Sequence, residues 1–242
     1  MKRGVWRAAA ATAFICGSYT AGTTLFMRLT GAGIVRRAAA GTGIILTFDD
    51  GPNPLYTPKL LDLLGEYGVK AIFFVVGRHA EQHPELLRRM QREGHLIGIH
   101  HYHHRSAWRL TPRQTKREIR RTAAVIERIT GNKPHFYRPP YGKLNAAVPF
   151  VSDPFITVIW THILGDWKVR TCDRDLLGRM MAVPADGSVV VLHDDGSNKG
   201  ADDAAPGHML PVLRQYLGHC REHGIELLHP GSLVNDSRGV RI

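Results

Sequence analysis

Short apolar runs alternate with segments of helical period from residue 43 onward, and this alternation is the strongest constraint on the fold. The apolar runs lack a 3.6-residue period, which is typical of buried strands. They comprise residues 44–48, 70–76, 95–99, 135–137, 156–164, 188–192 and 225–228. Seven strands that alternate with helices predict an α/β fold, in which a parallel sheet closes, or nearly closes, into a barrel.

Residue signals at the helix ends support this interpretation. Thr57 and Thr111 each precede a proline, so each is a candidate N-cap with proline at the first helical position. Gly131 is expected to end the helix that begins after Thr111. Two further helices are predicted near residues 173–183 and 207–223, between the last three strands.

The N-terminal segment is interpreted separately, because residues 8–27 carry no charge and follow basic residues. About 20 apolar residues can cross a bilayer, although glycines and threonines dilute this stretch. A cleaved signal peptide has the same features, and a buried core helix is a third interpretation. We expect a hydrophobic helix that anchors the chain within residues 1–42, followed by one exported domain at residues 43–242. The expected location is the cell membrane with the domain outside, or the medium if the segment is cleaved.

The composition limits the kind of partner. Lys and Arg number 32 and Asp and Glu 21, and the resulting charge of +11 favours an anionic neighbour such as a membrane or wall surface. The basic helix after Thr111 has a clear apolar stripe and no aromatic residue, so we expect no nucleic acid. Cys172 and Cys220 could pair in an exported domain, although their spacing does not show it. The sequence indicates no oligomeric state.

Polar side chains follow five of the predicted strands at the point where each strand ends. They are Asp49 and Asp50 after the first strand, His100 and His104 after the third, Arg138 after the fourth, Asp166 after the fifth, and His193 after the sixth. In a parallel α/β barrel, the loops at the C-terminal ends of the strands converge on one face, where active sites lie. The sequence therefore predicts one site built from five separate segments.

The spacing of His100 and His104 would aim both imidazoles the same way if the segment formed a helical turn. Two imidazoles and one carboxylate leave coordination positions open for water or substrate, as catalytic zinc sites require. The register is open, because His101 or His103 could replace either histidine. The two adjacent carboxylates after the first strand allow one to ligate metal while the other stays free as a general base.

Two sequence strings are specific, TFDDGPN at residues 47–53 and RPPYG at residues 138–142. They resemble the first and third motifs of the polysaccharide deacetylases that share the NodB homology domain, carbohydrate esterase family 4. The histidine run at residues 100–104 is similar to the second motif, Asp166-Trp167 to the fourth and Leu192-His193 to the fifth. The resemblance covers roughly residues 43–230.

The resemblance implies a deformed (β/α) barrel and the hydrolysis of N-acetyl groups on an acetylated amino-sugar polymer. The reaction would use Zn²⁺ or another divalent transition metal such as Co²⁺. Carried over to this sequence, the metal ligands would be Asp50, His100 and His104. Asp49 would be the general base that activates water, and Arg138 would hold it in place.

The resemblance also assigns the acid and the substrate contacts. His193 would protonate the departing amine, and Asp166 would raise the pKa of that imidazole. The backbone N–H of Tyr141 would help to hold the oxyanion. Trp167 and Leu192 would form apolar walls for the sugar or the acetyl methyl, although core packing is an equal alternative for Leu192.

Three positions depart from the pattern of the family. His101 stands where Ser or Thr is usual, Ile99 where Asn is common, and Ile163 where an aspartate is often found. None of these changes removes a predicted ligand, base or acid, so activity is expected, but loop geometry and substrate preference are open.

Two other functions remain as alternatives. An esterase that removes O-acetyl groups from a glycan would use nearly the same chemistry. A non-catalytic carbohydrate-binding wall protein would need neither a spare carboxylate nor a separate imidazole acid, so the presence of Asp49 and His193 favours an enzyme. The polar loop at residues 194–206 could face the substrate or be a solvated connection.

Overall fold

The computed structural model describes residues 12, 14, 16–39 and 41–234. Within these residues, seven parallel strands form one sheet in the order β5-β4-β3-β2-β1-β7-β6, which curls into a deformed barrel. The strands are β1 (Gly43–Asp49), β2 (Ile72–Val75), β3 (Leu96–Ile99), β4 (Phe136–Tyr137), β5 (Ile156–Thr157), β6 (His162–Ile163) and β7 (Asp186–His193). The predicted fold class is confirmed.

Apolar side chains that alternate along the strands build a separate cluster on each face of the sheet. In β1, Leu46 and Phe48 share a buried cluster with Leu60 of the following helix, whereas Ile45 packs with Phe74 in the other cluster. The α-helices after β1 are Thr57–Glu66, Gly77–Gln82, Pro84–Arg92, Pro112–Thr130, Val148–Val151, Val169–Arg174, Leu176–Met181 and Ala205–Glu222.

Two predicted strands differ in the structure. The predicted strand at residues 156–164 is split into β5 and β6, which lie at opposite edges of the sheet. The run leaves the sheet after β5, where Val158 still donates its N–H to Tyr137 of β4 but Ile159 donates to the backbone oxygen of Val35 in the N-terminal segment, which bridges to Val158. The predicted strand at residues 225–228 forms only an isolated bridge to β1, through Leu227. The predicted number of seven strands is therefore confirmed, but one predicted strand forms two and another forms none.

The predicted helix ends are partly confirmed. Thr111 forms a capping box with Gln114, and Gly131 ends that helix in the left-handed conformation, with φ of 75°. Thr57 does not cap its helix, because its hydroxyl donates to the carboxylate of Asp194 after β7, at 2.5 Å. The start of this helix is therefore fixed by a tertiary contact. The predicted helix at residues 173–183 is two shorter helices.

The N-terminal segment contacts the domain. A π-helix at Ser18–Gly22 continues into the α-helix Thr23–Thr30, in which Met27 is buried and Thr24 accepts hydrogen bonds from Trp108 Nε1 and the Leu144 N–H. No helix in the described part of the chain is long and apolar enough to span a bilayer. Residues 8–11, 13 and 15 of the predicted anchor lie outside the described residues.

The two cysteines that were candidates for pairing are both buried and free. Cys172 donates a weak hydrogen bond from its thiol to the backbone oxygen of Asp166, at 3.1 Å. Cys220 lies in the long helix Ala205–Glu222. Burial raises the pKa of the Cys172 thiol to about 12, and neighbouring carboxylates add to the effect. The predicted possibility of a disulfide between them is therefore not realised in the described structure.

Candidate active site

The loop after β1 points two adjacent carboxylates in different directions. Asp49 ends β1 and pairs in register with His193 at the end of β7. Asp50 has a φ of 81°, in the left-handed region that few side chains adopt. This backbone turn separates the two carboxylates, so that one can ligate a metal while the other lies beside it.

Asp50, His100 and His104 converge as a candidate metal site. Asp50 Oδ1 lies 3.3 Å from His100 Nε2 and 3.0 Å from His104 Nε2, and the candidate ligand atoms all lie within 4.8 Å of one another. All three side chains are buried. Hydrogen bonding to the backbone oxygen of Arg138 occupies His100 Nδ1, at 2.8 Å, and leaves Nε2 for the site.

The donor set fits a divalent transition metal. Asp50 Oδ1 is buried, and no described residue donates a hydrogen bond to it. A cation at this position would satisfy this oxygen. Burial opposes ionisation of Asp50, but the neighbouring imidazoles of His104 and His100 outweigh it and hold the pKa of this carboxyl well below its ordinary value. Two imidazoles and one carboxylate leave coordination positions open.

The structure separates the four histidines of the run. His101 is fully buried, stacks on Tyr137 and bonds to its hydroxyl through Nε2 at 2.9 Å. His103 contacts the carboxylate of Glu118 through Nδ1 at 2.8 Å. Neither His101 nor His103 belongs to the group of candidate metal ligands around Asp50. Of the histidine pairs that the sequence left open, the structure therefore favours His100 and His104.

The histidine run does not form a helical turn. His101 and His104 have φ values of 59° and 53°, so a loop with left-handed residues aims the two ligand imidazoles together. The carboxylate of Glu118 accepts hydrogen bonds from the backbone N–H groups of Tyr102 and His103 and thereby holds this loop. No sequence signal pointed to this residue.

Asp49 is held by a buried arginine. Arg138 Nη1 lies 2.6 Å from Asp49 Oδ1 and 2.8 Å from Thr47 Oγ1, and both charged side chains are almost fully buried. The guanidinium also packs over the ring of Phe74, 4.1 Å from its centre. One oxygen of Asp49 is thereby fixed, while Oδ2 lies 3.9 Å from His100 Nε2, on the side of the metal site.

His193 is held by Asp166 in the same manner. The carboxylate of Asp166 accepts the backbone N–H of His193 at 2.6 Å and contacts Nδ1 of its ring at 3.0 Å. Burial works against a charged imidazole, but the Asp166 carboxylate outweighs it and raises the pKa of His193 to about 10. His193 is therefore suited to carry a proton at neutral pH and to donate it from Nε2.

A pocket of about 300 Å³ joins these groups. The predicted site residues that line it are Asp49, Asp50, His100, His104, Tyr141, Trp167 and His193. Arg138 and Asp166 lie behind the groups that they hold. Leu192 is fully buried in the hydrophobic core, as the alternative interpretation of this residue expected, and it does not line the pocket.

Further residues line the pocket. Trp160 and Ile163 face it, although the sequence gives Ile163 only as a departure from the family pattern and gives no site role to Trp160. Asn198 and Lys199 also line it, and both belong to the polar loop after β7 for which facing the substrate was one of the two interpretations. Trp160 had no local signal, because it lies in an apolar run that was interpreted as strand.

Asp194 supports the metal loop from behind. Its buried carboxylate accepts the Gly51 N–H at 3.1 Å and the Thr57 hydroxyl at 2.5 Å. Burial raises the pKa of Asp194 to about 7, against the effect of the Thr57 hydrogen bond. A Cβ atom at Gly51 would lie 2.2 Å from the Asp194 carboxylate, so only glycine fits next to Asp50.

A family model described as polysaccharide deacetylase matches residues 36–153 of the chain. The chain is 35% identical over 175 residues to a peptidoglycan-N-acetylglucosamine deacetylase of Bacillus cereus, covering 71% of this chain and 63% of that relative. It is 32% identical over 186 residues to a chitooligosaccharide deacetylase of Bradyrhizobium sp., covering 71% of this chain and 84% of that relative.

The crystal structure of the Bc1960 peptidoglycan N-acetylglucosamine deacetylase matches with a TM-score of 0.75 at 27% identity, covering 86% of this chain and 95% of that one. Fold, motifs and sequence identity agree, and the chain belongs to the polysaccharide deacetylase family. It spans less than two thirds of the length of the Bacillus cereus relative.

Proposed function

We propose that this chain is a metal-dependent hydrolase that removes N-acetyl groups from amino-sugar residues of a cell-wall or extracellular polysaccharide. The observation that carries the proposal is the single pocket in which a metal-ligand set lies between a carboxylate held by arginine and an imidazole held by a carboxylate. Relatives named as peptidoglycan and chitooligosaccharide deacetylases support the same class of substrate.

The proposed metal ligands are Asp50, His100 and His104, with Zn²⁺ or another divalent transition metal such as Co²⁺. When bound, the metal supplies Lewis acidity toward the acetyl carbonyl and lowers the pKa of water. The unpartnered Asp50 Oδ1 and the orientation of His100 through the backbone of Arg138 support these ligands.

Asp49 would act as the general base. Arg138, which also donates to Thr47, holds Oδ1 and leaves Oδ2 to take a proton from the attacking water. The water oxygen then bonds to the acetyl carbon, and the backbone N–H of Tyr141 would help to stabilise the negative charge on the carbonyl oxygen. Arg138 is thus a positioning residue for the base.

His193 would act as the general acid. Its Nε2 donates a proton to the amide nitrogen as the carbon–nitrogen bond breaks, so that acetate and a free amino sugar leave. Asp166 holds Nδ1 and keeps the imidazole protonated. Trp167 packs edge-on against His193, with ring centres 5.4 Å apart, and would form an apolar wall for the substrate.

The direct test is acetate release from N-acetylated chito-oligomers and from peptidoglycan, before and after treatment with a chelator. We expect chelation to abolish release and added Zn²⁺ or Co²⁺ to restore it. Full activity of a preparation that elemental analysis finds free of metal would contradict the metal site. Release only from O-acetylated glycans would support the esterase alternative.

We also propose that the domain acts outside the cell membrane, where its glycan substrate lies. The basic start and the uncharged stretch at residues 8–27 support export. Cell fractionation together with N-terminal sequencing tests this location. A protein found only inside the cell would contradict it, and a mature form that begins after residue 27 would identify a cleaved signal.

A further inference from the structure

A second cavity, of about 920 Å³, opens beside the catalytic pocket. His104, Tyr141, Lys199 and Gly200 line both cavities, so the two cavities adjoin. We call the second cavity the basic groove. Its charged and aromatic lining consists of Arg105, Arg109, Lys143, Lys199, Trp108, Tyr141 and the shared His104. Cys16, Gly17 and Thr20 of the N-terminal segment line it as well, so the groove as described belongs to the chain that retains this segment.

The cations of the basic groove have no anionic partner among the residues that the structure describes. No carboxylate lines the groove among the described residues, and none of its two arginines and two lysines forms an ion pair with them. Other surface arginines of the chain do pair, as Arg128 does with Glu81 and Arg214 with Glu66. Arg105, Arg109 and Lys199 are exposed and can reach an anionic ligand.

Aromatic rings lie among these cations. The ring of Trp108 is fixed, because its Nε1 donates to the Leu144 backbone oxygen at 2.9 Å and to the Thr24 hydroxyl at 3.0 Å. Lys143 Nζ lies 4.8 Å from the centre of the Trp108 ring and 5.6 Å from that of Tyr141. The groove thus offers the fixed indole of Trp108 and the ring of Tyr141, against which sugar rings can pack, beside donors for carboxylates.

Resting on the proposed function, we propose that the basic groove binds the stretch of glycan next to the sugar being deacetylated, and that it selects polymers whose neighbouring sugars carry carboxylates. The four residues that line both cavities would place this stretch next to the sugar whose acetyl group enters the catalytic pocket. A neutral amino-sugar polymer would use the aromatic faces but leave the cations without partners. Arg105 and Arg109 are the specificity determinants that the structure assigns.

The test compares two hexasaccharides of equal length. One contains only N-acetylglucosamine, and the other alternates it with N-acetylmuramic acid, whose lactyl groups carry carboxylates. Dissociation constants are measured by calorimetry on the full chain carrying Asp49→Asn, so that binding is read without turnover. We expect the carboxylate-bearing oligomer to bind more tightly at low ionic strength and this preference to shrink as salt screens the charges.

The double substitution Arg105→Gln/Arg109→Gln should weaken binding of the carboxylate-bearing oligomer by roughly fivefold and leave the neutral oligomer unchanged. The matched control is Arg88→Gln/Arg92→Gln, which removes the same charge from exposed positions on the helix Pro84–Arg92. In the otherwise unchanged enzyme, the groove variant should raise KM for the carboxylate-bearing oligomer without lowering kcat.

Equal affinity for the two oligomers, failure of both to bind, or equal losses in the groove and control variants would overturn the proposal. A salt-sensitive affinity for anionic lipid vesicles without any glycan preference would also overturn it, and would assign the groove to a membrane surface. Because binding is measured separately from acetate release, a selective groove in a chain that releases no acetate would support this inference while contradicting the proposed function.

Discussion

The catalytic pocket and the basic groove share His104 and Tyr141, yet they handle charge in opposite ways. In the pocket, Asp49 is buried and paired with Arg138, as His193 is with Asp166. In the groove, exposed cations stay unpaired within the described chain. Burying an unpaired charge is costly, whereas an exposed cation stays hydrated until a ligand replaces the water. Paired charges therefore organise the chemistry, and unpaired charges are available for recognition.

The largest expected effect comes from the metal set, where the comparison is between two neighbouring histidines. His104→Ala removes a predicted ligand, so bound metal and acetate release should both fall to the background level. His103→Ala removes a contact to Glu118 and should keep the metal. Elemental analysis and acetate release measure both variants. Loss of metal from the His103 variant with retention by the His104 variant would show that the ligand register is wrong.

How much of this site the sequence predicts depends on whether its geometry is local. The string at residues 47–53 determines a turn within a few residues, and both of its carboxylates line the pocket. Leu192 was ambiguous because strand residues alternate between faces, and only the packed sheet shows that this one lies in the core. Trp160 was missed because an apolar run gives no sign of a residue that faces a pocket.

In the fold as well, features set by nearby residues can be predicted from the sequence, and features set by distant residues cannot. The parallel barrel follows from alternating patterns, and the capping box at Thr111 follows from its own four residues. The break between β5 and β6 does not, because the partner of Val158 is Val35, more than a hundred residues earlier in the chain. The role of Thr57 also depends on a distant residue, because its hydroxyl donates to Asp194 and does not cap the helix.

The next largest effect tests the paired base of the pocket. Asp49→Asn keeps the shape of the side chain but removes the proton acceptor, so kcat should fall by roughly 10² to 10⁴ while metal content and glycan affinity stay unchanged. The matched control is Asp195→Asn, at a buried carboxylate that bonds to Asn53 and Ser197 outside the pocket. Near-parental turnover of the Asp49 variant on every acetylated glycan would contradict the mechanism.

A smaller effect, on the pH profile, tests the paired acid. An acid catalyst works only while it holds its proton, so activity is lost as pH rises through the pKa of His193, which Asp166 raises to about 10. Asp166→Asn removes the charge that raises the pKa, while burial still lowers it. The high-pH limb of kcat should therefore move to lower pH, with a fall in kcat below about 10²-fold.

The control for this shift is Asp173→Asn, which makes the same chemical change at an exposed carboxylate paired with His208. Its pH limb should coincide with that of the parent enzyme. An unmoved limb in the Asp166 variant would show that this carboxylate does not govern the protonation of the acid. Metal content is measured in both variants, since a loss of metal would also change the profile.

The smallest effect on activity, and a clear one on stability, comes from the contacts behind the pocket. Thr57→Val keeps the volume but removes a hydroxyl that donates to Asp194 and accepts the Asn53 N–H at 2.8 Å. Because these groups lie in the buried support of the metal loop, the free energy of unfolding should fall by about 2 kcal/mol. Denaturant melts measure this change. Arg105→Gln, in the exposed groove, should leave the free energy of unfolding as it is. If both substitutions destabilise the chain equally, the groove cations are part of the packed structure, and the contrast between paired and available charge is wrong.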